Sequence, residues 1–209
     1  VNRNVDEDDS VESYTGKIFE SAMASLDQVH HSLDMSAVNR AVDLLTQAKK
    51  IAFFGLGSSA AVAHDAMNKF FRFNVPVIYS DDIVLQRMSC MNCDDDDVVV
   101  IISHTGRTKS LVELAQLARE NDAMVIALTS AGTPLAREAT LAITLDVPED
   151  TDIYMPMVSR LAQLTVIDVL ATGFTLRRGA KFRDNLKRVK EALKESRFDK
   201  EPFVPSDNQ

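Results

Sequence analysis

The chain has 209 residues, 45% of them hydrophobic and 26% charged, which is apolar material enough for one sizeable domain with flanking segments. Its formal net charge of −8 argues against this segment gripping a nucleic-acid backbone with its own surface, because such binding needs a basic face. No apolar run approaches the roughly 18 residues of a membrane span, and no signal peptide is visible, so a cytoplasmic chain without membrane contact is expected.

Residues 1–13 (VNRNVDEDDSVES) are acidic and nearly free of large apolar side chains, and they read as a linker. From Tyr14 to Leu33 the apolar residues Ile18, Phe19, Met23, Leu26, Val29 and Leu33 recur at helical spacing. Asp34 or Ser36 caps a second helix carrying Val38, Val42, Leu44 and Leu45. Strands and helices then alternate. Strand 51–54 leads to helix 58–72, a short strand 77–79 to helix 82–92, and strand 98–102 to helix 108–120. Strand 124–128 is followed by a short helix after Pro134 and a fifth strand over Ala142–Leu145. This alternation predicts an α/β fold, a three-layer αβα sandwich around a five-stranded parallel sheet. The strands are apolar at successive positions, as strands covered on both faces are. The rest is helical: residues 157–176 are strongly apolar and 181–195 form a basic amphipathic stretch. The expected domain is 14–195, with a flexible tail over 196–209.

Cys90 and Cys93 are the only cysteines, and one Cys-x-x-Cys cannot complete a four-ligand zinc site, so reduced thiols on a helix are expected. The run Asp94–Asp97 before a strand reads as a solvated loop rather than a metal site. Neither a metal nor a cofactor is called for.

Two loops carry the chemistry. The apolar run Val98–Ile102 passes into Ser103-His104-Thr105-Gly106-Arg107-Thr108 and then into a helix. Upstream, Ile51–Phe54 passes into Gly55-Leu56-Gly57-Ser58-Ser59 and another helix. A helix N-terminus offers unpaired N–H groups and the positive end of a dipole, and Ser or Thr there can donate to phosphate oxygens. In an open parallel sheet both loops lie at the carboxyl ends of strands, where ligands bind. On spacing alone, this reaches a phosphorylated small polyol in a strand-end cleft.

Gly55–Ser59 and Ser103–Thr108, about 45 residues apart in a βαβα chain, resemble the motifs of the sugar isomerase (SIS) fold over residues 36–178. That family usually has Ser-x-Ser-Gly-x-Thr/Ser in the second motif; here Thr105 replaces the central serine, keeping the hydroxyl and adding a methyl. Val158-Ser159-Arg160-Leu161-Ala162-Gln163-Leu164 with Val166-Ile167-Asp168 looks like the C-terminal helix of RpiR-type transcription regulators. In those proteins a helix-turn-helix domain precedes the SIS domain, and residues 1–13 sit where the hinge would be. The resemblance implies a ligand-sensing effector domain acting on DNA only through that N-terminal domain. A closer likeness to regulators of hexose catabolism implies 2-keto-3-deoxy-6-phosphogluconate, a phosphorylated sugar acid, as the inducer. By resemblance, Ser103, Thr105 and Thr108 with the N–H groups of 104–108, including His104 and Gly106, hold the phosphate. Ser59, assisted by Ser58, takes the sugar or carboxylate portion, and Arg107 adds charge.

An aldose–ketose isomerase is the alternative at this stage, since it needs a base near neutral pH. His64, His104 and Glu149 are the candidates, but each has an ordinary structural reading and no paired base is evident. A homodimer is expected through helices 14–33 and 157–176, which carry more apolar surface than one sheet face needs.

Overall fold

The computed structural model describes residues 5–148, 157–194, 196 and 197. The chain opens with α1 (Val11–Ser32) and α2 (Met35–Gln47). There follow β1 (Lys50–Phe54), α3 (Ser58–Phe71), β2 (Val77–Ser80), α4 (Ile83–Met91), β3 (Asp97–Ile102), α5 (Lys109–Glu120), β4 (Met124–Thr129), α6 (Pro134–Glu138) and β5 (Leu141–Thr144). Helices α7 (Val158–Arg177) and α8 (Gly179–Lys194) complete it. All strand pairings are parallel, in the order β2-β1-β3-β4-β5.

The sheet is covered on both faces. Helices α1, α2, α3 and α7 pack on one side, where Val42, Leu45, Phe70, Ile167 and Phe174 meet Phe53, Val100 and Ile126. Helices α4, α5 and α6 pack on the other, where Leu111, Leu114 and Leu135 meet Phe54, Val99 and Ile101. This is the expected three-layer sandwich. Every residue of β3 is buried, as the unbroken apolar run Val98–Ile102 requires of all but its first residue, Asp97. At the sheet edge β5 behaves differently: Ala142 and Thr144 are half-exposed while Leu141 and Ile143 are buried.

Helix α1 begins three residues earlier than expected, so residues 11–13 are its first turn rather than linker. Val11 is two-thirds exposed and gave no apolar start signal; the cap did, with Ser10 Oγ accepting from the Ser13 N–H at 3.1 Å. The acidic residues before it fold onto the helix. Lys17 pairs with Asp9 at 2.6 Å and Asp6 at 3.0 Å, and its ammonium draws the Asp9 carboxyl down to about 2. Helix α2 is capped by Asp34, whose Oδ1 accepts from the N–H groups of Ser36 and Ala37. Residues 1–4 and 198–209, the ends of the expected linker and tail, lie outside the described residues.

The aspartate run is less solvated than its sequence suggests. Asp94, Asp95 and Asp96 are exposed, but Asp97 is the buried first residue of β3, accepting from the Asp94 N–H at 3.0 Å and paired with Lys50 at 3.1 Å. Lys49 reaches Asp96 at 2.5 Å. These pairs tie the start of β1 to the start of β3. Cys90 lies on α4 and Cys93 just beyond it, both free and buried; the Cys93 sulfur beside it and desolvation push the Cys90 thiol up. Helix α8 is held at its beginning by rings: Phe73 stacks on Phe174 with centroids 5.1 Å apart, and Phe182 meets both edge-on.

Candidate functional site

The strand order places the site. From β1 the chain moves outward to β2, then returns across β1 to build β3, β4 and β5, so the direction of winding reverses between β1 and β3. Loops leaving neighbouring strands at such a point diverge to opposite faces and open a crevice. The register sets Phe54 opposite Ile101, so the Gly55 and Ser103 loops leave the sheet one residue apart. Between them lies a cleft of about 210 Å³ lined by Leu56, Ser58, Ser59, Ile102, Ser103, His104, Thr105, Thr108 and Leu111.

The two hydroxyl loops, Gly55–Ser59 and Ser103–Thr108, far apart in sequence, therefore form one site. Ser59 and Ser103 are buried, Ser58 and His104 half-buried, and Thr105 and Thr108 exposed at the mouth. The Ser103 Oγ accepts from the Gly106 N–H at 3.1 Å, which uses an oxygen lone pair and leaves the hydroxyl proton to donate. Thr105 Oγ1 likewise takes the Arg107 N–H at 3.4 Å. The hydroxyls of Ser58, Ser59 and Thr108 bond to no other described residue, and neither α3 nor α5 has a side-chain cap. The N–H groups of His104, Thr105 and Thr108 also have no partner among the described residues. Two helix N-termini thus face one cleft with donors to spare, the arrangement that holds an anion.

Gly57 has φ 57° and ψ −130°, a conformation closed to residues with a Cβ, and nothing lies within 4 Å of where that Cβ would be. Gly106 is buried and turns away from the cleft, beneath Thr129 and Thr133. The exposed Arg107 is not among the lining residues, so any charge it lends comes from outside the cleft wall. The second loop is pinned from below. The His104 carbonyl accepts from Ser130 N–H at 3.3 Å and Ser130 Oγ at 2.8 Å, and the Gly106 carbonyl accepts from Leu135 N–H at 3.1 Å.

Of the candidate bases, His104 lines the cleft, whereas His64 is exposed on α3 with its ring 4.9 Å from that of Tyr79. Glu149 lies outside the described residues. Sequence reasoning missed the apolar floor of Leu56, Ile102 and Leu111, and it missed Gln86. That side chain is fully buried on α4, and its Nε2 donates to Gly55 O at 3.2 Å and Ser80 O at 2.8 Å, tying the first loop to the end of β2. Gln86→Leu leaves both carbonyls without that donor. It is expected to destabilise the chain by about 1–3 kcal/mol, read as a lower midpoint in urea with an unchanged slope.

No described helix is long and apolar enough to cross a membrane. Residues 44–173 match the SIS domain family. The whole chain is 91% identical to the HTH-type transcriptional regulator HexR of Escherichia coli K12, covering 72% of that protein. It is 57% identical over 198 residues to the regulator of the same name from Pseudomonas aeruginosa, 95% of this chain and 70% of that one. The structure of the Vibrio vulnificus NanR protein complexed with ManNAc-6P shares the fold, with a TM-score of 0.80 and 23% identity over 90% of this chain and 71% of that one. Two regulators among its relatives decide between the regulator and the isomerase readings in favour of the regulator. The chain belongs to the SIS-domain family and, within it, to the RpiR-type transcriptional regulators.

Proposed function

We propose that the cleft senses a phosphorylated sugar acid, and that its occupancy modulates DNA binding by a helix-turn-helix domain on the N-terminal side of this chain in the longer regulator. The observation that carries this reading is the pair of uncapped helix N-termini, with unbonded hydroxyls on Ser58, Ser59 and Thr108, facing one small cleft. In the reading, Ser103, Thr105, Thr108 and the free N–H groups of His104, Thr105 and Thr108 hold the phosphate, Gly106 shapes the loop, and Arg107 adds positive potential at the rim. Ser59, with Ser58, takes the sugar and carboxylate end. The size of the cleft, about 210 Å³, is below the roughly 300–1,000 Å³ of sites for drug-sized molecules and suits one small metabolite. The ligand is 2-keto-3-deoxy-6-phosphogluconate, by resemblance to regulators of hexose catabolism. NanR, which shares the fold, is complexed with ManNAc-6P, itself a phosphosugar. The regulator works in the cytoplasm as a homodimer, whose two-fold symmetry suits a palindromic operator.

Calorimetry with a panel of phosphorylated sugars and sugar acids tests this. Ser103→Ala is expected to weaken the cognate ligand by about 1–3 kcal/mol, the loss of a hydrogen bond to an anion. Ser59→Ala is expected to alter the ranking of sugar portions more than the dependence on phosphate. In the full-length regulator both variants keep operator binding and lose the ligand response. Unchanged affinity in Ser103→Ala moves the pocket elsewhere, and a folded variant that no longer binds the operator removes the sensor role from that residue.

A further inference from the structure

Helix α8 takes no part in the cleft, and its charge is opposite in sign to that of the chain. Its 16 residues hold six basic side chains against two acidic ones, while the chain carries −8. Phe182 and Leu186 pack against the domain, but Val189 and Leu193, further along the same stripe, are 36% and 50% exposed. Between them and the end of α3 lies a groove of about 380 Å³. It is lined by the apolar Phe73, Leu186, Val189 and Leu193 and by the exposed cations Arg72, Lys190, Lys194 and Arg197. The nearby carboxylates leave most of that charge unspent. Asp184 is held by Lys187 at 3.6 Å and Glu191 by Lys194 at 2.6 Å, while Asp65 and Asp168, on α3 and α7, share Lys69. Arg72, Lys190 and Arg197 have no anionic partner among the described residues.

We propose that this groove docks an acidic peptide segment of another protein, with an apolar side chain seated between α8 and the end of α3 and carboxylates on the surrounding cations. The dimensions suit a peptide. The volume falls within the roughly 300–1,000 Å³ of pockets that enclose a small ligand. From Leu186 to Lys194 the helix rises roughly 12 Å at 1.5 Å per residue, the span of about four extended residues. The walls select among anions. A basic amphipathic helix that lies on a bilayer turns its apolar stripe outward onto a flat surface. Here the stripe turns toward the domain and the site is concave. A nucleic-acid strand is held by aromatic platforms between the cations, whereas the exposed apolar residues here are Val189 and Leu193 and the one ring, Phe73, is buried. A second copy of this chain is poorly supplied for the role. Its acidic run before α1 is tied to Lys17, and the one before β3 is tied to Lys49 and Lys50. An acidic segment from elsewhere is repelled by the net charge of the chain and drawn to this patch.

Fluorescence anisotropy on the full chain tests this, with a labelled peptide in which a Leu-x-x-Phe pair is flanked by glutamates. The peptide is expected to bind at micromolar concentration and to weaken as salt rises. Lys190→Glu with Arg197→Glu should weaken it at least about tenfold. Lys181→Glu with Arg188→Glu makes the same change in net charge on the opposite face of the helix, at 3.6 residues per turn, and should weaken it by about twofold at most. Leu193→Ser is expected to weaken it as well, because a side chain enters the groove. All five residues are exposed, so circular dichroism should show each variant folded. Ser103→Ala is expected to leave the peptide's affinity as it was, since Arg72 and Ser59 stand at opposite ends of α3, roughly 20 Å apart. No binding overturns the proposal. So do equal losses in the two charge-reversed pairs, equal binding of a peptide with glutamine for glutamate, an unchanged affinity in Leu193→Ser, or a loss in Ser103→Ala, which puts the peptide in the cleft. Tighter binding in Phe203→Ala also overturns it, by giving the groove to the chain's own residues 198–209. Displacement of the peptide by phosphatidylglycerol vesicles or duplex DNA at lower concentration than by unlabelled peptide does the same, by giving it to a membrane or a nucleic acid.

Discussion

Gly106→Ala is expected to destabilise the chain by about 2–5 kcal/mol and to abolish ligand binding by whatever protein remains folded. Two costs add. The residue sits at φ +59°, where a side chain is strained, and a Cβ there would lie 2.2 Å from Thr133 Oγ1 and 2.5 Å from Thr129 Oγ1. Neither hydroxyl can yield freely. Thr133 Oγ1 donates to Ser130 O at 3.0 Å and caps α6 through Ala136 N–H at 3.3 Å, and Thr129 is buried at the end of β4. The way out is for the loop to lift, which breaks the bond from Gly106 N–H to Ser103 Oγ and the one from Leu135 N–H to Gly106 O. Gly132→Ala is the control. It also replaces a positive-φ glycine, at +68°, but nothing lies within 4 Å of the new Cβ. It is expected to cost about 1 kcal/mol and leave ligand affinity as it was. Thermal melts and calorimetry on the two variants separate the general strain of a positive φ from the packing beneath the loop. Equal losses in both would mean that the contact with Thr129 and Thr133 contributes nothing.

The parts of this molecule that were legible in its sequence are those in which one local signal points one way. Val98–Ile102 is apolar at every position because both of its faces are covered, and Gly57-Ser58-Ser59 and Ser103–Thr108 are punctuation followed by helical periodicity. That both loops serve one cleft followed from the general behaviour of parallel sheets; which strands are neighbours did not, because β1 pairs with β3 at a separation of 47 residues, Lys50 with Asp97, and the sequence carries no mark of register. Two failures have physical causes. A glutamine in an apolar helix reads as its outward residue, yet Gln86 points inward because the carbonyls of Gly55 and Ser80 need a donor there, and the methionines are turned out instead. Asp97 was grouped with its acidic neighbours, although Lys50 on the adjacent strand makes it a buried partner. Each time the deciding group came from a different strand or helix, and no window along the chain contains both.

The largest expected loss of stability without loss of site chemistry is Phe174→Ala. Phe174 is fully buried on α7 at the centre of a ring cluster, stacked on Phe73 with planes 10° apart and edge-on to Phe70 at 5.4 Å. Arg178 lies over its ring, 4.8 Å from the centroid. Removing such a side chain costs about 3–5 kcal/mol, the lost transfer energy plus the cavity left behind. The loss should fall first on α8, which buries none of its residues fully and is joined to the domain here through Phe182. Hydrogen exchange is therefore expected to rise over 179–194 before it rises in β1 or β3. The cleft should be spared. Phe70 is near the last turn of α3 and Ser59 is in the first, so roughly 16 Å of helix, at 1.5 Å per residue, separates the cavity from the loop. Below the melting transition, Phe174→Ala should bind the ligand proposed above with the parent's affinity. If affinity fell along with stability, α3 would be transmitting the state of the ring cluster to the Ser59 loop, and α7 would have to be counted as part of the sensing apparatus rather than as its support.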